Sequence, residues 1–243
     1  MSIQNQLINY TNKKLITKRP SEDTRQYVYR LLSTLILNMI LIPGQRMNEQ
    51  ELSAFLNVSR TPIHDSFPML ARNNLVDIIP MKGSFVSKVD KERIKDSIWL
   101  NEKMCISIIQ GIFISDASKS ELDILSEILS QLEYNRINGD IFRTSRSLAQ
   151  FYRHLFILGG NFEIMWESLY EFEADLFRLY SLAIRNLRFG VDICRSFHLL
   201  TNALLDRDND LACKIFHSHM QKVLSMVEPI TADNPKLFNT KLI

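Results

Sequence analysis

From Lys91 to about residue 227, apolar side chains recur at the three- and four-residue spacing of helices, and no stretch alternates as a convincing strand does. A chain patterned this way over more than half its length folds as packed helices. The 7 glycines and 7 prolines among 243 residues are too few for the turns of an extensive sheet, so the helices are joined by short connections. Ser118-x-x-Glu121 is a capping box that opens a helix running to about Arg136. A helix over 145–158 stops at Gly159-Gly160, and others are expected over 162–184, 191–205 and 210–226. A polar turn, Asp206–Asn209, separates the last two, and Pro229 is expected to end the organised part. The expectation is an all-helical bundle over 91–230 and a tail over 231–243.

Residues 1–90 read differently. Residues 1–20 are polar and basic, with Lys13, Lys14, Lys18 and Arg19, and read as a loose arm. Ser21 is the expected N-cap of a first helix, with Glu22 and Asp23 favourable to its dipole. Val28, Leu31, Leu32, Leu35, Ile36 and Met39 recur at helical spacing before Pro43-Gly44 stops the segment. Asn48 caps a short second helix to Leu56, Asn57-Val58 is a tight turn, and Ser59 caps a third helix to about Asn73. The stretch VDIIPMKGSFVSKV, residues 76–89, reads as a β-hairpin with a Lys-Gly tip. Helix, helix, turn, helix and hairpin over 21–90 make a winged helix-turn-helix. The fold class is therefore mainly α, a winged helix-turn-helix followed by an all-α bundle.

In such a head the third helix enters the major groove with its N-terminal residues at the base edges. A helix N-terminus offers free N–H groups and partial positive charge to phosphates. Ser59 and Thr61 can donate hydroxyls to phosphate oxygens, and Arg60 has the fork geometry for two bonds to a guanine edge. Pro62 costs nothing in a first turn whose N–H has no helical partner. An ordinary capped surface helix would explain this row alone; the preceding helix and turn and the following hairpin favour double-stranded DNA as its target.

Other classes are poorly supported. No GxSxG, GxGxxG, GxxxxGK[ST] or HExxH occurs. Asp206, Asp208 and Asp210 have calcium-loop spacing but lack the glycine and distal glutamate, and fit a turn and N-cap better. An enzyme is not expected. Cys105, Cys194 and Cys213 form no CxxC pair, which fits free thiols in a reducing compartment. With no signal-peptide core and no run of about 18 apolar residues, a cytoplasmic protein without a membrane span is expected. The net charge of +2 means that any basic surface is local.

The run LIPGQRMNEQELSAFLNVSRTPIHDSF, followed by the Leu75-Val76 pair and the wing Gly83, closely resembles the DNA-binding domain of the GntR family of bacterial transcription regulators. The remainder resembles, more weakly, the FadR-type sensor domain called FCD, through FYRHLFILGGN at 151–161 and ALLDRDNDLACKIFHSHM at 203–220. The resemblance implies a homodimeric regulator, more often a repressor, whose winged helix reads a palindromic operator. DNA contacts are then expected from Arg46, Gln50, Ser59, Arg60, Thr61, His64, Lys82 and Gly83. Gln50 and His64 stand where the family usually has arginines, and losing two cations weakens binding and flattens its salt dependence. Pro68 falls inside the third helix, where a bend or an early end is expected.

The resemblance further implies that many such sensor domains hold a divalent metal, which in turn binds a carboxylate effector. Here the corresponding ligand positions are Leu148, Tyr152 and Phe197, with only His219 kept, and the pocket positions that often carry Arg and Glu fall near Asn101 and Cys105. Leu and Phe cannot ligate a metal. A rebuilt set, Gln150 and His154 with His198 and His219, is the alternative to a buried remnant His219. No metal or other cofactor is expected. The pocket either takes a more hydrophobic small-molecule effector or is filled by its own side chains, and a surviving apolar pocket is the expectation. The rival to an operator-binding regulator is a degenerate member that binds DNA weakly and acts through protein–protein contacts.

Overall fold

A computed structural model describes residues 16–114 and 117–239 and divides into two compact units. The head comprises the chain up to Asp90 together with the segment from Asn234 onward; the helical unit is Lys91–Asp233. Lys13 and Lys14 lie outside the described residues.

In the head, α1 spans Thr24–Leu37, α2 Glu49–Leu56 and α3 Arg60–Arg72. The cap of α1 is Asp23 and not Ser21: the Asp23 carboxylate accepts from the Gln26 N–H at 2.7 Å, and the Gln26 side chain accepts from the Asp23 N–H at 3.0 Å. This reciprocal box satisfies two donors where Ser21 would satisfy one. Residues 16–20 are held in place here and not loose: Ile16 is buried, Thr17 O accepts from Arg30, and Lys18 Nζ donates to Thr24 Oγ1 at 3.1 Å. Asn48 caps α2 as expected, and Asn57 makes the turn into α3 with a φ of 52°, a left-handed conformation that Asn adopts at low cost. Helix α3 continues through Pro68 to Arg72, so it does not end early. Pro68 is exposed while Phe67 and Leu70 beside it are buried, and this packing holds the turn despite one missing hydrogen bond.

The wing is a three-stranded antiparallel sheet in the order β1-β3-β2, with β1 at Arg46–Met47, β2 at Val76–Ile79 and β3 at Gly83–Val86. The hairpin register pairs Val76 with Val86 and Ile79 with Gly83. Strand β1, a two-residue strand with no readable periodicity, pairs Arg46 with Phe85. Val28, Leu31, Leu35, Leu52, Ile63 and Leu70 form the core that fixes α3 against the other helices. Each buried Leu or Ile contributes about 1.5–3 kcal/mol.

The helical unit holds α4 (Lys91–Ile114), α5 (Lys119–Ile137), α6 (Ile141–Leu158), α7 (Glu163–Phe172), α8 (Ala174–Arg185), α9 (Leu187–Leu205) and α10 (Asn209–Asp233). The Ser118–Glu121 capping box is present. The single helix expected over 162–184 breaks at Glu173, and the helices expected from 145 and 191 begin earlier, because Asp140 and Asn186 cap them. Helix α8 is buried along its whole length to Ile184, which marks it as the centre of the bundle. Its two charges are neutralised in place: Asp175 accepts from Arg178 and, at 2.8 Å, from Arg93. Pro229 does not end the organised part. Helix α10 passes through it to Asp233 because Val227 and Ile230 are buried on either side and the proline sits in the last turns.

Candidate nucleic-acid interface and the core of the helical unit

The first turn of α3 is presented to solvent. Ser59 occupies the N-cap position with extended backbone, yet its side chain makes no capping bond, so the hydroxyl and the first N–H groups of α3 are open to an outside acceptor. Arg60, Thr61 and His64 are exposed. His64 Nδ1 lies 3.0 Å from Glu49 Oε1 of α2, and this carboxylate raises the imidazole's pKa. Gln50 is exposed on α2. On the wing, Lys82 and Met81 stand exposed at the hairpin tip. Gly83, with a φ of 110°, lies under the guanidinium of Arg46, and a Cβ there would meet Arg46 Nε at 3.4 Å. The sheet thus brings Arg46 and Gly83 together. Sequence reasoning missed Thr24 and Arg25, which line an open cleft of about 560 Å³ with Val58, Ser59, Thr61 and Asp65. Arg25 looks like any exposed charge on an amphipathic helix, and no signal in the sequence separates it from one.

In the helical unit the six expected pocket residues come together, and all are buried: Asn101, Cys105, Leu148, Tyr152, Phe197 and His219 are each no more than 2% exposed. They are packed on one another. The Phe197 ring lies 4.6 Å from that of His219 and 5.6 Å from Tyr152, while Tyr152 stacks on Trp166 at 6.0 Å. The place where the resemblance puts a ligand pocket is thus occupied by aromatic side chains.

A polar thread runs through this core. Tyr152 and Tyr180 hydroxyls are 3.0 Å apart, and Tyr180 Oη is 3.0 Å from His219 Nε2. Burial holds the His219 pKa down at about 3, and the neighbouring Lys222 lowers it further, so the ring is neutral. Burial also pushes the Tyr180 hydroxyl upward. Nearby, Asn101 Nδ2 donates to Glu173, and the Cys105 thiol donates to Asn101 Oδ1 at 3.3 Å. Burial raises the Glu173 carboxyl to about 8, against the opposing pull of the Asn101 bond.

The residues present do not fit the metal of the sensor family. His219 is engaged by Tyr180, and the other three ligand positions offer no ligand of the expected kind. The rebuilt set is not brought together: His154 Nε2 is 3.0 Å from Glu121 O, and His198 Nε2 is 3.3 Å from Glu133 Oε2 at the surface. Among the described residues no group of three His, Cys, Asp or Glu side chains is placed to hold a metal. A surface groove of about 780 Å³ lies elsewhere in this unit, lined by Met104, Ile108, Phe162 and Met165 with Lys103 and Gln110. No helix among the described residues is long and apolar enough to cross a membrane.

Comparison with known proteins agrees with both units. The family described as bacterial regulatory proteins, gntR family, matches residues 24–86, and the FCD domain matches residues 111–222. An HTH-type transcriptional regulator of Streptomyces ambofaciens, described as uncharacterized and in an unstable DNA locus, is 30% identical over 220 residues, covering 89% of this chain and 90% of that protein. The HTH-type transcriptional repressor RspR of Escherichia coli K12 is 24% identical over 230 residues, covering 90% and 96%. Among solved structures, E. coli McbR/YncC superposes with a TM-score of 0.72 at 17% identity, covering 86% of this chain and 98% of that one. A GntR protein from Rhodococcus sp. RHA1 gives 0.68 at 18% identity, covering 84% and 97%. These two likenesses are of fold.

Proposed function

Because this chain belongs to the gntR family of bacterial regulatory proteins and carries an FCD domain behind its winged helix-turn-helix, making it a DNA-binding transcription regulator, we propose that it acts as a homodimeric repressor on a palindromic operator. The observation that carries the reading is the exposed first turn of α3, with an uncapped Ser59, Arg60 and Thr61 on a helix rigidly packed from behind. Arg60 reads a guanine edge; Ser59 and Thr61 hold phosphate; Arg46, Gln50, His64 and the wing residues Lys82 and Gly83 add contacts. Two heads meet half-sites about 34 Å apart, one turn of DNA. The exposed Trp99, Phe162, Ile164 and Met165 of the helical unit offer apolar area for a second copy. Repression follows the RspR relative. An effector of the helical unit is apolar and metal-free, and it binds by displacing rings of the Tyr152–Phe197 core.

The test is selection of bound sequences from random duplex DNA by the full chain, with Arg60→Ala as control. A palindrome enriched by the wild type and lost in the variant is the expected result. Absence of enrichment even at low salt overturns the operator reading and leaves a chain that acts through protein contacts.

A further inference from the structure

The chain passes between the head and the helical unit twice, at Asp90–Lys91 and again at Asp233–Asn234. On the head side the two passages are bonded to each other. Val89 N–H donates to Leu237 O at 3.0 Å, and Asn239 N–H donates back to Val89 O at 2.9 Å, a parallel bridge centred on Val89 and Phe238. Asn239 Nδ2 reaches Asp90 Oδ2 at 3.5 Å. Val89 is 0% and Phe238 1% exposed, so this end of the chain is anchored in the head. A short 3-10 turn, Pro235–Leu237, brings it there from the end of α10. Within the helical unit, Lys91 Nζ at the start of α4 binds Glu228 near the end of α10 at 3.1 Å. Each passage is therefore pinned to the other on both sides of the division.

We infer that residues 234–239 form a strap that ties α10 to the wing and carries displacements of α10 into the reading head. A single peptide link allows rotation about its bonds; two links bonded to each other do not. The path is short. Helix α10 places His219, Met220 and Val223 in the packed core of the helical unit. Its end continues into the strap, the strap bonds Val89, and two residues before Val89 the Ser87 N–H donates to Leu75 O at 3.0 Å, beside the end of β3. Anything that shifts α10 by repacking the aromatic core pulls on the base of the wing.

The structural part of this inference stands without DNA, and the regulatory part rests on the function proposed above. The experiment is amide hydrogen exchange on the full chain, on a chain ending at Asp233, and on Phe238→Ala. Loss of the strap accelerates exchange at the Val89 amide by about two orders of magnitude, as expected when a buried aromatic anchor is removed. The core of the helical unit keeps its protection. Unchanged exchange at Val89 overturns the strap.

The coupling is read by His219→Gln made in two backgrounds: the natural chain, and a chain with a short Gly-Ser linker between Asp233 and Asn234. In the natural chain the substitution alters exchange at Val86 and Val89; with the linker inserted it does not. An equal change in both backgrounds, or none in the natural chain, overturns the coupling. Operator affinity measured on the same proteins separates the two readings. A wild type that selects no DNA sinks the regulator and leaves the strap to be judged by exchange alone.

Discussion

Replacing Glu173 by Gln stabilises the helical unit, and does so more strongly as the pH rises. Glu173 sits at the break between α7 and α8, 1% exposed, with the Asn101 amide donating to its carboxyl. Burial raises its pKa from an ordinary 4.5 to about 8. Below the ordinary value both folded and unfolded chains carry the proton. As the pH climbs from there toward 8, the unfolded chain releases it and the folded chain keeps it, so stability falls by about 1.4 kcal/mol per pH unit and levels off above the folded value. By pH 7 the loss is about 3 kcal/mol. Gln keeps the volume and an acceptor oxygen for Asn101 but cannot ionise. Glu173→Gln should therefore match the wild type near pH 4.5 and exceed it by about 3 kcal/mol at pH 7. Urea unfolding followed by tryptophan fluorescence reads this directly, because both tryptophans, Trp99 and Trp166, lie in the helical unit. With a slope of about 1–3 kcal/mol per molar urea, the midpoints separate by roughly 1–3 M at neutral pH. A difference that does not grow with pH, or a variant less stable than the wild type at pH 8, refutes a buried neutral Glu173.

Three further outcomes are expected. His219 has its pKa lowered to about 3, so the stability it contributes is present above the ordinary 6.5 and is lost as the pH falls, by about 2 kcal/mol at pH 5; His219→Phe moves the acid-unfolding midpoint of the helical unit to lower pH, and an unmoved midpoint contradicts the neutral ring. Gly111→Ala drives a Cβ into the carbonyl oxygen of Gly159, where backbone must give way, and should cost the helical unit about 1–3 kcal/mol, measured as a lower melting temperature. Gln50→Arg restores a cation on the exposed face of α2 and should steepen the log–log salt dependence of operator binding by about 0.9, with tighter binding at low salt; an unchanged slope places Gln50 away from the phosphates.

What could be read from the sequence follows the range of the interaction concerned. The head was legible because its signals are local: Asn48 and Ser59 mark helix starts, Asn57 the turn, and Gly83 the wing. Errors fell where two local signals compete. Ser21 and Asp23 both look like caps, and Asp23 wins because Gln26 stands three residues on. The break at Glu173 carries no Gly or Pro to announce it, and β1 is too short for a period. The docking of Phe238 beside Val89 joins positions 149 residues apart in sequence, and no local pattern encodes such a contact.

The core of the helical unit shows why one histidine survives where the rest of the family's ligand set is missing. A neutral imidazole buried without a metal still has a ring nitrogen that needs a hydrogen-bond partner, and leaving it bare costs about 1–3 kcal/mol. Tyr180 supplies that partner, at 3.0 Å. Its hydroxyl, itself buried, is satisfied in turn by Tyr152, which stands where the resemblance puts a histidine ligand. Phe197, at another such position, covers the imidazole with its ring. Tyr152 and Phe197 are thus parts of one change: they remove the means of holding an ion and solve the problem of the polar side chain left behind. A chain that had merely lost its ligands at random would leave His219 bare. The thread from Tyr152 through Tyr180 to His219 is what a core looks like when it has been rebuilt around different contents.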